Sequence, residues 1–215
     1  MQNKKLVLAT LFGLIAIFVA LAFFYKKDEA KKDELAILSK GDLLVREHSI
    51  KFGENKKNIT VVEFLDPECE SCALFHPIVR KLYKEYHEDI QLVVKYIPNH
   101  TNSKFVIKLL EASREQNKYE EVLNVIFEKQ PLWAQHNNEK PELLWQYLAE
   151  IQGLNINKLK EDFNNPKIDK IIEIDAKDAK ELGVKGTPSF FVNEKRLSTL
   201  SEKDLFNLVE SEIYK

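Results

Sequence analysis

The sequence predicts an α/β fold, and three observations carry that prediction. First, the apolar, β-branched run Ile59-Thr60-Val61-Val62-Glu63-Phe64-Leu65 is followed by a segment of helical period and then by a second strand-like run, Ile90 to Ile97. Strand, helix, strand in that order is a parallel crossover unit. Second, from Asn102 to about Leu182 the apolar residues recur at helical spacing only. Third, a short strand, Ser189 to Asn193, returns after that stretch and is followed by one more helix. There is no internal repeat.

Taken in order, Leu43 to Phe52 is expected to hold a short strand, and Gly53 to Asn58 reads as a turn. Ile59 to Leu65 is nearly continuous in apolar residues, as a strand buried on both faces is. Asp66-Pro67-Glu68 breaks it. Phe75, Ile78, Val79, Leu82, Tyr83 and Tyr86 then form one apolar helix face. Pro98-Asn99 ends the next strand. The helical stretch divides at its periodic residues: Phe105 to Leu110, Tyr119 to Phe127, Leu143 to Ile151 closed by Gly153, a short segment with Leu159 and Phe163, and a longer one from Pro166 to Leu182 stopped by Gly183. Asn193-Glu194-Lys195 is a hairpin turn. Ser201 caps the last helix, with Asp204 completing an S-x-x-D pattern.

The chain has 215 residues, enough for one domain or one with a sizeable insertion. Hydrophobic residues at 44% and aromatics at 10% suffice for a core and exclude a disordered chain. Lys and Arg number 32 against 34 Asp and Glu, a net charge of −2, so there is no bulk basic field and nucleic acid is not an expected partner. Two cysteines exclude a disulfide-rich scaffold and a four-cysteine zinc site.

Residues Leu6 to Phe24 carry no charge, with Lys4 and Lys5 before them and Lys26 and Lys27 after. As a helix this run would span about 28 Å, close to the hydrocarbon thickness of a bilayer. The expectation is one N-terminal transmembrane helix, residues 1–27 forming a membrane anchor. The alternative is a signal peptide cleaved near Ala20-Leu21-Ala22, but the apolar run is longer than a usual signal core and continues into Phe23-Phe24. Residues 28–42 are a charged spacer, and residues 43–215 are the expected folded domain. Lysines at both ends leave the orientation to the chemistry of that domain.

Both cysteines lie in Cys69-Glu70-Ser71-Cys72, between a strand and an amphipathic helix. Cys69 therefore falls at a helix N-terminus, where unpaired N–H groups and the positive end of the dipole stabilise a thiolate. Cys72, about one turn in, can close a disulfide with it. An attacking thiolate and a resolving thiol are what thiol exchange needs. A static disulfide or two inert buried thiols is the plainer reading, and a metal site completed by His76 is another. His76 is more simply a solvated helix residue. Glu63 sits six residues before Cys69 among Val62, Phe64 and Leu65. It either points outward from an edge strand or has a task as a buried proton acceptor for Cys72. Pro188, entering an apolar strand after Gly186-Thr187, is a candidate cis peptide.

Residues 61 to 77, V-V-E-F-L-D-P-E-C-E-S-C-A-L-F-H-P, together with residues 183 to 193, G-V-K-G-T-P-S-F-F-V-N, resemble the thioredoxin superfamily, and within it the DsbA-like thiol–disulfide oxidoreductases. The resemblance covers about residues 45 to 213 and implies a thioredoxin fold with a helical insertion at about residues 102–182. Asn117 to Trp133 is similar to part of that insertion. It implies that Cys69 is the nucleophile, Cys72 the resolving cysteine, Pro77 a kink in the active-site helix and Glu63 the buried acid. It also implies that Thr187 and Pro188 are the cis-proline pair beside the cysteines, with backbone at Thr187 pairing with substrate. No cofactor is implied beyond the two cysteines, and no metal. The partners it implies are cysteine-containing substrate proteins and a membrane or extracytoplasmic redox partner, the domain facing the periplasmic side of a bacterial membrane. Disulfide formation is the expected direction, with reduction or isomerisation as alternatives. Glu70 and Ser71 stand where many relatives carry Pro and the best-known oxidases a His. They are the expected potential-tuning positions, and the negative Glu70 should oppose a thiolate at Cys69.

Overall fold

A computed structural model describes residues 42–215, and the compact unit within it runs from Leu43 to Lys215. The expected membrane segment at residues 6–24 lies outside the described residues, as does nearly all of the charged spacer. Among the described residues no helix is long and apolar enough to cross a membrane.

Five strands form one sheet in the order β1-β3-β2-β4-β5. They are β1 (Ile50–Phe52), β2 (Ile59–Leu65), β3 (Ile90–Tyr96), β4 (Ser189–Val192) and β5 (Lys195–Arg196). β2 and β3 are parallel, with Glu63 opposite Val94, and their crossover is helix α1 (Glu70–Tyr86). β1 and β4 flank this pair in the antiparallel sense. β2 is thus the middle strand, which is why its residues are apolar on both faces. The outward, edge-strand position for Glu63 is thereby excluded.

The helical insertion follows β3: α2 (Ser103–Arg114), α3 (Tyr119–Glu128), the single turn α4 (Gln130–Trp133), a 3-10 turn at Pro141–Leu143 leading into α5 (Leu144–Ala149), α6 (Ile156–Asp162) and α7 (Pro166–Glu181). The chain closes with α8 (Glu202–Ile213), whose first turn is capped as expected: the Ser201 hydroxyl accepts from the Asp204 N–H at 3.0 Å. The hairpin between β4 and β5 turns on Asn193 at φ 52. Gly53 is required where it stands, since it takes φ 98 and a Cβ there would lie 2.3 Å from the Ile90 carbonyl.

The two faces of the sheet bury different layers. Val61 and Ile59 pack with Phe75, Val79 and Leu82 of α1 and with Leu205 and Val209 of α8. Val62, Phe64 and Val93 point the other way, toward Ala179 of α7. Each such buried side chain contributes about 1.5–3 kcal/mol. Leu65 and Val94 join Cys72 and the insertion helices in the largest apolar cluster, so the cysteines sit where the crossover unit meets the insertion.

Candidate active site

The break after β2 builds the site. Asp66, fully buried, accepts from the Glu68 N–H at 2.9 Å through one oxygen. The other oxygen accepts from the Asn99 N–H at 2.9 Å and meets the His100 ring at 2.7 Å. The Cys69 N–H donates to the Asp66 carbonyl at 3.1 Å. One carboxylate therefore ties the turn before Cys69 to the loop after β3. Glu68 strengthens the tie by accepting from the Asn102 N–H at 2.6 Å and its side-chain amide at 2.9 Å.

Cys69 is the N-cap of α1, with extended φ −71 and ψ 122. The N–H groups of Cys72 and Ala73 both donate to its carbonyl at 3.1 Å. Both cysteines are free thiols, Cys69 8% exposed and Cys72 fully buried. The Cys69 thiol is pulled down to about 5, first by its hydrogen bond with Cys72, then by Thr187 and the N–H groups of Cys72 and Ser71, against the opposing effect of burial. Cys72 is pushed far above the ordinary thiol range by burial, by that same hydrogen bond and by the charge of Glu63. The pair is thus split, one sulfur ionised at neutral pH and the other protonated.

Glu63 is 4% exposed on the middle strand, and burial alone raises its carboxyl to about 8. It is within electrostatic reach of Cys72 and carries a proton at neutral pH. Across the site, the Thr187–Pro188 peptide is cis, and the Thr187 carbonyl lies 3.4 Å from the Cys69 sulfur. Beside Pro188 runs a groove of about 500 Å³ lined by Ser189, Phe190, Arg196 and Leu197. Pro77 lies inside α1.

Glu70 does not face the sulfur: its side chain is 66% exposed and its carboxylate lies 3.1 Å from the His136 ring. The shift at Cys69 runs downward despite it. Ser71 contributes through its backbone N–H. His76 departs from the solvated position expected of it. Its ring lies 2.8 Å from the Asn124 amide oxygen and packs at a tilt of 47° against Phe127, and burial lowers its pKa. Among the described residues no three His, Cys, Asp or Glu side chains are grouped to hold a metal ion.

Three participants were not legible as such in the sequence. His100 is one: burial opposes its charge, but Asp66, with Cys69 and Glu68, outweighs burial and raises its pKa. Asp66, which holds it, is the second. The third is Gln130 of α4, whose amide donates to the carbonyls of Pro67 at 3.1 Å and Cys69 at 3.2 Å. The only sequence signal was Asp66 itself, a carboxylate three residues before a cysteine, and it reads equally well as a strand breaker.

A family model described as thioredoxin matches residues 46–211. The chain belongs to the thioredoxin family. Its relatives include a protein from Rickettsia conorii named "Putative protein-disulfide oxidoreductase", 30% identical over 154 residues, which are 69% of this chain and 54% of that one. Another is a Na(+)/H(+) antiporter NhaA from Herminiimonas arsenicoxydans, 29% identical over 67% of this chain and 22% of the antiporter. The chain thus spans about half the length of the first and about a fifth of the second. Among solved structures, Wolbachia pipientis alpha-DsbA1 superposes with a TM-score of 0.70 at 22% identity, covering 82% of this chain and 96% of that one. Oxidised BdbD from Bacillus subtilis superposes with a TM-score of 0.68 at 22% identity, covering 78% and 94%. The thioredoxin fold with a helical insertion is therefore the DsbA-like one.

Proposed function

We propose that this chain is a thiol–disulfide oxidoreductase that passes the Cys69–Cys72 disulfide to cysteine pairs of other proteins. The observation that carries the reading is the split pair: a Cys69 thiol pulled down to about 5 at a helix N-terminus, against a buried Cys72 thiol held protonated. The name of the Rickettsia relative supports the same chemistry.

In the disulfide form, a substrate thiolate attacks the Cys69 sulfur and the bond to Cys72 breaks. Cys72 leaves with the electron pair and takes a proton from Glu63. A second substrate thiolate then attacks the substrate sulfur of the mixed disulfide, and Cys69 leaves as a thiolate. The substrate loses two electrons, the protein gains them, and a redox partner must remove them again. Backbone at Thr187 and the groove beside Pro188 hold the substrate chain across the cysteines. Glu70 and Ser71 tune the pair from the turn of α1.

The same pKa supports disulfide formation as the direction. At about neutral pH a thiol of pKa about 5 gains roughly 2.7 kcal/mol from ionisation, and that gain stabilises the reduced form by about 60 mV. Stabilising the reduced form makes the disulfide more oxidising, so disulfide formation is favoured over reduction. Such chemistry suits an oxidising compartment. We place the domain on the extracytoplasmic side of a bacterial membrane, anchored through residues 6–24, and fractionation with N-terminal sequencing checks this. A soluble mature protein starting near Phe23 contradicts the anchor.

The test is trapping. Cys72→Ser should accumulate mixed disulfides with substrate proteins, because the resolving thiol is gone. Cys69→Ser should accumulate none. Equal trapping by both variants contradicts the assignment.

A further inference from the structure

α1 and α3 diverge over the sheet and leave a cleft of about 620 Å³ between them, within the size range of small-molecule sites. Its floor is the sheet: Glu63 of β2, Val94 and Leu92 of β3 and Phe52 of β1. The strand register aligns them, Glu63 opposite Val94 and Phe52 opposite Leu92. Tyr83 and Tyr119 stand on either side, their rings 6.2 Å and 5.9 Å from that of Phe52. Apolar and aromatic residues make up half of the lining; the polar half includes His87, the bonded His76–Asn124 pair and two features open to a ligand.

At the inner end stands Glu63. Its side chain is 4% exposed, lines the cleft and has no hydrogen-bond partner among the described residues; since no sealed side-chain oxygen there lacks a partner, its carboxyl opens to the cleft and its solvent. At the mouth stand Arg80 and Lys84, one turn apart on α1. Neither side chain has an ion-pair or hydrogen-bond partner among the described residues, whereas Lys81 beside them is paired with Glu202 at 2.6 Å. Against these two free cations the mouth holds one acid, Glu120. A cationic ligand would enter past like charges, and an anion is attracted.

We propose that this cleft binds a small aromatic anion, a carboxylate or sulfonate carrying a hydrogen-bonding group at its far end. The ring lies on Phe52, Leu92 and Val94, the anion meets Arg80 and Lys84, and the polar group bonds the Glu63 carboxyl. A consequence rests on the thiol-exchange reading: a ligand bonded to Glu63 occupies the group that moves the Cys72 proton, so occupancy slows exchange.

The probe is the isomer of anilinonaphthalene sulfonate whose N–H group and sulfonate sit on opposite rings of the naphthalene, titrated by fluorescence into the full chain. Saturable binding at one site is expected. Arg80→Ala with Lys84→Ala should weaken it about ten-fold, since each exposed charge contact contributes modestly. Leu123→Trp, which fills the cleft from α3, should abolish it. Binding of equal strength in both variants overturns the site. In a parallel assay, probe at about ten times its native dissociation constant should slow disulfide transfer to a reduced peptide several-fold in the native chain and only about two-fold in the Arg80→Ala, Lys84→Ala variant. Slowing of both alike, or of neither, overturns the coupling. A chain that binds the probe in this variant-sensitive way yet transfers no disulfide sinks the catalytic reading and supports the site.

Discussion

Two clusters of buried ionisable groups lie on opposite faces of the same sheet, and they are built on opposite rules. On the α7 face, Lys95 is fully buried, yet its ammonium meets Asp178 and Asp175 and donates to the Leu43 carbonyl at 2.8 Å. Asp178 also takes Arg46 at 2.6 Å, and Asp175 takes the His48 ring at 2.9 Å. Arg46 and Lys95 more than offset burial and hold the Asp178 carboxyl below its usual range. On the α1 face, Glu63 is buried with no such partners, and its carboxyl is pushed up to about 8. The paired groups fasten residues 43–49 to β3 and α7. An unpaired carboxyl keeps its proton and can give it away. The first arrangement fixes structure, and the second stores the means of moving a proton to or from Cys72.

Removing a partner from the paired cluster should cost the most. Lys95→Met removes the cation that Asp175 and Asp178 share, while Arg46 stays on Asp178 and the His48 ring on Asp175, a loss of about 3 kcal/mol. For a chain of this size that is a fall in Tm of roughly 10 °C. A loss below about 1 kcal/mol in urea unfolding would mean that the pairing does not matter as described. The opposite sign is expected for Glu63→Gln. The folded carboxyl titrates near 8 against 4.5 for an ordinary one, so ionisation favours the unfolded chain progressively as pH rises from 4.5 to about 8. The variant should therefore be more stable than the native chain by about 3 kcal/mol at neutral pH. The gain should vanish below pH of about 4.5, and disulfide exchange should slow. A variant that is less stable at neutral pH breaks the comparison.

Smaller effects separate the charges around Cys69. Replacing His100 with Gln removes a ring whose charged form Asp66, Cys69 and Glu68 favour against burial. The Cys69 pKa should rise by about half a unit to one unit, and the potential should fall by roughly 15–30 mV. Glu70→Gln should act in the other sense and less, lowering the Cys69 pKa by a few tenths of a unit, because an exposed carboxylate is screened. Equilibration of both variants with glutathione reads the order. A larger shift for Glu70 than for His100 would reverse the ranking.

The strand from Ile59 to Leu65 and the cap at Ser201 were legible because their signals are local: an unbroken apolar run and an S-x-x-D pair. The α1 face was legible from periodicity, and the beginning and end of the insertion from Asn102, Pro166 and Gly183. The cysteine pair stood out by its strand–turn–helix setting. What stayed hidden is long-range. Gln130 reaches the Cys69 carbonyl across 61 residues, and His100 reaches Asp66 across 34. Lys95 reads as an ordinary strand lysine until α7 supplies Asp178, 83 residues on. The pairing of β4 with β2 is what puts Glu63 in the middle of the sheet and not at its edge, because strand order is a property of the fold and not of the strand. The turn of α4 carries no periodic signal, being a single turn with Pro131 at its start.

The central claim is that one cysteine of the pair is ionised at neutral pH and the other is not. Ultraviolet absorbance of the thiolate, followed against pH in the reduced chain with Cys69→Ser and Cys72→Ser as controls, measures it directly. The account predicts one thiolate per chain appearing with a midpoint near 5, lost in Cys69→Ser, and no second thiolate at neutral pH. A midpoint in the ordinary thiol range, about 8.5, or two thiolates already present at neutral pH, contradicts it.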